Sequence, residues 1–373
     1  MSLDVTKLPK LGFGMMRLPK QGEEIDLNKV CEMVDSYMES GMNYFDTAYM
    51  YCEGRSESVV KEALVKRYSR ESFYLTTKLP QWMLNEKEDR DRIFNTQLER
   101  TGVEYFDIYL LHSVEEGGNY EGYLKYDCFN WAMEKKAEGK IKHFGFSFHG
   151  TPELLEEILS GHPEVEVVQI QLNYADWENP LVQSGRLYEI LHRYNIPIIV
   201  MEPVKGGMLA ETTPEIEHLM KKVRPKDSIA SWALRYAASL PGVVTVLSGM
   251  STKEQMEDNL QTFTAFEPIT NEEKQVLQSV VEAMAKMDTI ACTDCRYCMD
   301  GCPQNIFIPD VFKAENTLRL YGEDMRPHFF YNGLVERSGR AGSCIGCGQC
   351  EAVCPQHLPI ISLLQGASER LDR

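Results

Sequence analysis

Short apolar runs alternate with longer stretches of helical period through most of the chain. The runs Gly12–Met15, Asn43–Asp46, Phe73–Lys78, Asp107–His112, His143–Ser147, Val167–Leu172, Ile198–Met201 and Val243–Leu247 read as strands. Each is almost continuously apolar, the pattern of a strand covered on both faces. Between them, Asn28–Glu39, Glu57–Tyr68, Lys87–Thr101 and Pro180–Tyr194 carry apolar residues at helical spacing. Such β–α units, eight in number, predict an α/β fold, a closed parallel (β/α)8 TIM barrel. A doubly wound open sheet is the rival arrangement, but "GFGMMR" has G-x-G without the third glycine of that fold's usual fingerprint. After the eighth run, "TNEEKQVLQSVVEAMAKM" opens with Thr270 and Glu273 in capping-box spacing. Val276, Leu277, Val280, Val281 and Met284 then share one helical face, which predicts a helix closing the barrel. The expected division is a barrel over 1–287 and a small, mostly helical domain over 288–373.

The last segment breaks the alternation with cysteines. "ACTDCRYCMDGCP" holds Cys292, Cys295, Cys298 and Cys302, and "CIGCGQCEAVCP" repeats the spacing at Cys344, Cys347, Cys350 and Cys354. Both read C-x2-C-x2-C-x3-C-P, the run of bacterial two-cluster ferredoxins. Three thiolates two residues apart wrap one cubane cluster in a tight loop, while the fourth, turned away before proline, reaches elsewhere. Resemblance to those ferredoxins implies two [4Fe–4S] clusters. It implies Cys354 beside Cys292, Cys295 and Cys298, and Cys302 beside Cys344, Cys347 and Cys350. Zinc is the main alternative, although its sites usually use two separated C-x2-C pairs; disulfides are the other. Between the runs, "DVFKAENTLRLYGEDMRPHFFYNGLVERSGRAGS" reads as helix, so the tail resembles a helical ferredoxin.

Composition narrows the partners. The net charge is −17, of which the segment from Ile290 onward contributes only −2. An acidic surface disfavours nucleic acid and anionic lipid. The N-terminus "MSLDVTKLPK" has no apolar stretch of signal-peptide length, and no apolar run approaches a membrane span. Eleven cysteines, eight of them clustered as ligands, fit a reducing compartment, so a cytoplasmic protein is expected.

In a (β/α)8 barrel the chemistry stands at the C-terminal ends of the strands. Here the second expected strand ends in Asp46, the third in Lys78 and the fourth in His112, and Tyr51 follows Asp46 by five residues. A carboxylate, a lysine, a histidine and a phenol thus converge on one rim. That set suits proton delivery to a carbonyl: the phenol as acid, Lys⁺ lowering its pKa, the carboxylate keeping the lysine charged, and the histidine orienting the carbonyl oxygen. Taken singly, Asp46 could cap a turn, His112 could be a core histidine and Lys78 a surface ion-pair partner.

The blocks "FDTAYMYCEGRSE", "TTKL", "DIYLLH" and "GFSFHG" resemble those of the aldo-keto reductases, over roughly the first 285 residues. The resemblance implies hydride transfer from NADPH or NADH to an aldehyde or ketone, with Tyr51 as general acid in a tetrad with Asp46, Lys78 and His112. It also implies Ser147 and Gln169 as carboxamide contacts and Met201 where an aromatic residue usually stacks on the nicotinamide. Lys205, Gly206 and Gly207 fall on the pyrophosphate loop, and Gly249, Asp258 and Asn259 on the adenosine end. The lysine and arginine that usually clasp a 2′-phosphate are replaced by Gly249 and Gln255, with Lys253 as a substitute. The ferredoxin-tailed subgroup implies a small-molecule carbonyl substrate and a one-electron redox protein as partner. Two other readings stay open: a redox sensor using the barrel as a nucleotide-binding module, and a dedicated electron-transfer protein.

Overall fold

The computed structural model describes residues 4–116, 119–179, 182–286, 288–321 and 325–372. By compactness these divide into two units. The first comprises residues up to Pro203 together with Ser231–Ile269, and the second Val204–Ala230 together with Thr270 onward.

The first unit is built on eight parallel strands: β1 (Leu11–Gly14), β2 (Tyr44–Asp46), β3 (Tyr74–Pro80), β4 (Phe106–Val114), β5 (Ile141–Phe148), β6 (Val167–Gln171), β7 (Ile198–Met201) and β8 (Val243–Ser248). They close in chain order, with β1 pairing both β2 and β8. The expected α/β barrel is the fold observed. Its strands are buried nearly throughout, which is why their sequences lack polar alternation. Val5 and Leu8 from the N-terminal segment join Tyr44, Ile108, Leu110, Val167, Ile199, Val244 and Leu247 in an interior cluster. At Gly145 on β5, an added Cβ would lie 1.8 Å from the Val167 carbonyl oxygen, so only glycine fits there.

The expected helices form at Leu27–Glu39, Asp89–Thr101 and Ser184–Arg193. Pro180, the first residue of the last expected stretch, lies outside the described residues. The Glu57–Tyr68 stretch becomes Ser56–Val60 followed by a wider π turn at Lys61–Val65.

In the second unit, Asn271–Met284 carries the expected capping box: Thr270 accepts from the Glu273 N–H and the Glu273 carboxylate accepts from the Thr270 N–H. This helix packs on Pro214–Val223. Residue 287, where the sequence boundary falls, lies outside the described residues. The tail is helical, with Ile308–Tyr321 and Met325–Val335 between the cysteine runs and Ile360–Leu371 after them. Its own apolar core gathers Ile306, Val311, Phe312, Tyr331, Ile360 and Leu364 among others. Among the described residues no helix is long and apolar enough to cross a membrane.

Candidate active site and candidate metal centres

Asp46 closes β2, Lys78 lies near the end of β3, and His112 lies near the end of β4, so parallel pairing brings their side chains to one rim. Tyr51 follows in a turn whose next two residues, Cys52 and Glu53, take left-handed backbone. The Lys78 Nζ donates to Asp46 Oδ1 at 2.6 Å, to the Thr47 carbonyl at 2.9 Å and to the Tyr51 hydroxyl at 3.2 Å. The rings of Tyr51 and His112 meet edge to face, 5.8 Å between centroids. Asp46, Lys78 and His112 are buried.

Burial dominates the electrostatics. It raises Asp46 and lowers Lys78, and each shift is opposed by the charge of the other. His112 is held well below its usual pKa by burial, then by Lys78 and His149, so its imidazole is neutral at pH 7. Tyr51 is pushed well above the ordinary phenol value by burial and by Asp46. Here the expectation that Lys78 lowers the phenol's pKa is not met. The cost of a phenolate largely removed from water outweighs the lysine, whose charge Asp46 already offsets.

Behind the rim lies a network that the sequence reading passed over. Glu57 Oε1 accepts from Thr77 at 2.7 Å and from Gln97 at 2.9 Å, and Gln97 also donates to the Lys78 carbonyl at 3.0 Å. It fixes the backbone that carries Lys78. Its one sequence signal was the glutamate ending "CEGRSE".

The expected nicotinamide contacts lie on neighbouring strands, with Ser147 paired to Gln169 across β5 and β6. Ser147 Oγ accepts from the Ser113 N–H at 2.8 Å. Gln169 Oε1 is buried without a hydrogen-bond partner, as a group awaiting a carboxamide donor would be. Met201 ends β7, half-buried. Gly249 follows β8, and an added Cβ there would touch the Arg17 side chain at 3.5–3.6 Å. Asn259 donates to Ser248 Oγ at 3.0 Å, and Asp258 precedes it in the helix Lys253–Thr264. Gln255 accepts from the Ser251 N–H at 2.7 Å, and Lys253 stands exposed beside Glu257. Lys205–Gly207 belong to the second unit as a 3-10 turn. There Gly206 has φ 65°, and an added Cβ would lie 2.3 Å from the Thr293 carbonyl oxygen, inside the first cysteine run.

None of the eleven cysteines forms a disulfide. Cys302 lines a small cleft with Cys344, Cys347 and Cys350, floored by Ile306, Ile308 and Leu364. Cys292 is pushed up to about 12 by burial, with Cys295 and Cys354 among the groups that act on it. Cys298 is raised in the same way, again with Cys354 in electrostatic range. Among the described residues no three Cys, His, Asp or Glu side chains converge as ligands of one ion. The two runs also share a backbone. Left-handed residues recur at equal offsets, at Asp294, Arg296 and Asn305 in the first and Gly346, Gly348 and His357 in the second. A one-turn helix follows in each, Tyr297–Asp300 and Gln349–Ala352.

The aldo/keto reductase family model matches residues 10–282. The chain belongs to that family. A 4Fe-4S dicluster domain model matches residues 291–358 of this reductase, so the oxidoreductase carries a C-terminal iron–sulfur domain. An uncharacterised oxidoreductase of Bacillus subtilis is 26% identical, covering 73% of this chain and 92% of its own length. The L-galactose dehydrogenase of Arabidopsis thaliana is 24% identical, covering 74% and 91%. Among solved structures, an aldo-keto reductase from Klebsiella pneumoniae in complex with NADPH superposes with a TM-score of 0.59 at 20% identity, covering 74% of this chain and 91% of that one. The holo form of an aldo-keto reductase from Bacillus halodurans gives 0.57 at 25% identity, covering 73% and 91%.

Proposed function

We propose that this aldo-keto reductase reduces a small-molecule aldehyde or ketone, with NADH or NADPH as reductant and Tyr51 as proton donor. Support comes from the buried chain Asp46–Lys78–Tyr51, at 2.6 and 3.2 Å. A bound nicotinamide supplies the hydride to the carbonyl carbon, and NADPH is what the Klebsiella relative's structure contains. His112, neutral, donates a hydrogen bond to the carbonyl oxygen and strengthens it as negative charge develops there. Tyr51 then gives its hydroxyl proton to that oxygen. A phenol with a raised pKa stays protonated until an alkoxide, far more basic, requires the proton. Lys78 meets the phenolate left behind, and Asp46 keeps Lys78 charged for that moment.

Within the barrel unit, Ser147 and Gln169 are the proposed carboxamide contacts, Met201 the cover for the ring face, and Gly249, Asp258 and Asn259 the adenosine end. Lys205, Gly206 and Gly207 are assigned to the pyrophosphate by resemblance alone. In the tail, we assign Cys292, Cys295, Cys298 and Cys354 to one cluster and Cys344, Cys347, Cys350 and Cys302 to the other. The clusters move single electrons, and we assign them to relay or redox sensing with a one-electron partner in the cytoplasm. Tyr51→Phe tests the core of this reading: kcat for carbonyl reduction should fall at least ~10²-fold. Turnover equal to wild type would remove Tyr51 from the mechanism.

A further inference from the structure

Behind β3, one carboxylate serves both arms of the proposed acid. Lys78 reaches Asp46 and Tyr51 from one face of β3, so Thr77 faces the helices on the other. There Thr77 Oγ1 donates to Glu57 Oε1 at 2.7 Å. Gln97, from the helix Asp89–Thr101, donates to the same oxygen at 2.9 Å and to the Lys78 carbonyl at 3.0 Å. The Tyr109 hydroxyl fixes Gln97 in turn, donating to its Oε1 at 2.7 Å. The first oxygen of Glu57 thus holds the backbone that carries Lys78. The second faces the turn that carries Tyr51. Glu57 Oε2 lies 3.6 Å from Arg100 Nη1, and that nitrogen donates to the Tyr49 carbonyl at 3.3 Å. The guanidinium also covers the Tyr49 ring, 4.2 Å from its centroid. One residue before Glu57, Ser56 Oγ lies 2.8 Å from Thr47 Oγ1 and closes the base of the same turn.

Glu57, Thr77 and Gln97 are wholly buried. Burial pushes the Glu57 carboxyl above its ordinary value, against the bonds from Thr77 and Gln97 and the charge of Arg100. A carboxylate so placed is costly unless its partners need the charge. A glutamine would accept from Thr77 and Gln97 equally well. What only the carboxylate supplies is an ion-pair partner for Arg100 and a negative charge that, after Asp46, favours protonated Lys78.

We propose that Glu57 is a positioning residue of the proton donor, one carboxylate that aligns Lys78 through Thr77 and Gln97 and the Tyr51 turn through Arg100. It acts through Lys78 and Tyr51, and the proposal rests on the carbonyl-reductase reading of the rim. Glu57→Gln is made in full-length, cluster-loaded protein and read as kcat for benzaldehyde with saturating NADPH. The loss should be roughly tenfold, the scale of a misplacement by a fraction of an ångström at reacting groups. The same substitution is repeated in a Tyr51→Phe background. A merely structural defect lowers the active fraction alike in both backgrounds, whereas a residue that acts by aligning the phenol loses less once the hydroxyl is gone. A loss under threefold in the Tyr51 protein, or one as large in Tyr51→Phe, overturns the proposal. If Glu57→Gln does not fold, Arg100→Met, at a side chain 30% exposed, decides by the same two criteria. A wild-type protein that binds nucleotide but reduces no aldehyde counts against the reductase reading, and Glu57 is then judged by NMR of labelled tyrosine ring carbons. The Tyr51 resonance, assigned by its loss in Tyr51→Phe, should move in the variant; an unmoved resonance overturns the proposal.

Discussion

His112 is kept from protonating by burial, whereas Glu115, at the end of the same strand's run, is pushed up to about 7 by burial and then by Glu116. The two contribute to stability with opposite signs. The unfolded chain protonates His112 as pH falls through about 6.5 and the folded chain does not, so that stability is present above 6.5 and lost below it. The folded chain keeps a proton on Glu115 that the unfolded chain sheds above about 4.5, so that stability is present below 4.5 and lost as pH rises toward 7. Each slope is at most about 1.4 kcal/mol per pH unit, and between 4.5 and 6.5 they oppose. Denaturant midpoints between pH 5 and 7.5 should therefore change little in wild type. Glu115→Gln should become less stable toward acid, and His112→Gln less stable toward neutrality; the same flat profile in both variants would refute the assignment. Cofactor preference is decided by single residues too. Gln255, which accepts from the Ser251 N–H, and Gly249 stand where the family resemblance expects the 2′-phosphate clasp, and we propose that the clasp is missing. Without that charge-assisted pair, worth about 1.5–3 kcal/mol, the kcat/KM preference for NADPH over NADH should stay below a hundredfold. That Asp46, Lys78, Tyr51 and His112 meet at one rim was legible because three of them close apolar runs and Tyr51 follows Asp46 by five residues. The Glu57–Thr77–Gln97 network was not, because its members are far apart in the sequence and meet only when the barrel closes.

At the scale of elements, all eight strands were legible, since a run buried on both faces is mostly apolar and its few polar residues fall without alternation. Their bounds moved by only one or two residues, as β3 and β4 extend into the rim. Less legible was the stretch after β2, where a helical period becomes a π turn at Lys61–Val65. Nor did the cysteine spacing reveal that the repeat continues in the backbone, through left-handed residues at matching offsets. In the second run two of those positions are glycines; in the first they are Asp294 and Arg296, held by the Arg296 pairs with Asp294 and Asp310. The turn at Lys205–Gly207 seats on this first loop with no room for a side chain at Gly206. Gly206→Ala must displace either the turn or the Thr293 backbone. Iron per chain in anaerobic protein should fall below that of wild type, with the loss confined to this variant when compared with Gly333→Ala, whose added Cβ meets nothing within 4 Å and whose backbone is not left-handed. Equal iron in both variants would mean that the first loop does not depend on the turn.

For the whole molecule, a barrel of the aldo/keto reductase family is joined in one chain to a 4Fe-4S dicluster domain. Hydride chemistry moves two electrons together, so the clusters are not required for it. Cys295→Ser combined with Cys347→Ser should leave reduction of a generic aldehyde in place while abolishing electron exchange with a reduced one-electron donor. Loss of aldehyde reduction by a barrel that stays folded would put the clusters on the catalytic path. The carbonyl itself was never legible, because pocket-shaping loops vary freely on this fold.

The cleft that sets Cys302 beside Cys344, Cys347 and Cys350 gives the tail an unusual kind of memory. Under the proposed ligand assignment each run stores the piece that completes the other's cage, so neither cage would be dismantled as a private event. Damage to one loosens the strap around its twin, and the remnant has little reason to persist. A tail wired this way answers an oxidant as a fuse does, intact up to a threshold and spent beyond it, without the graded dimming of two independent lamps.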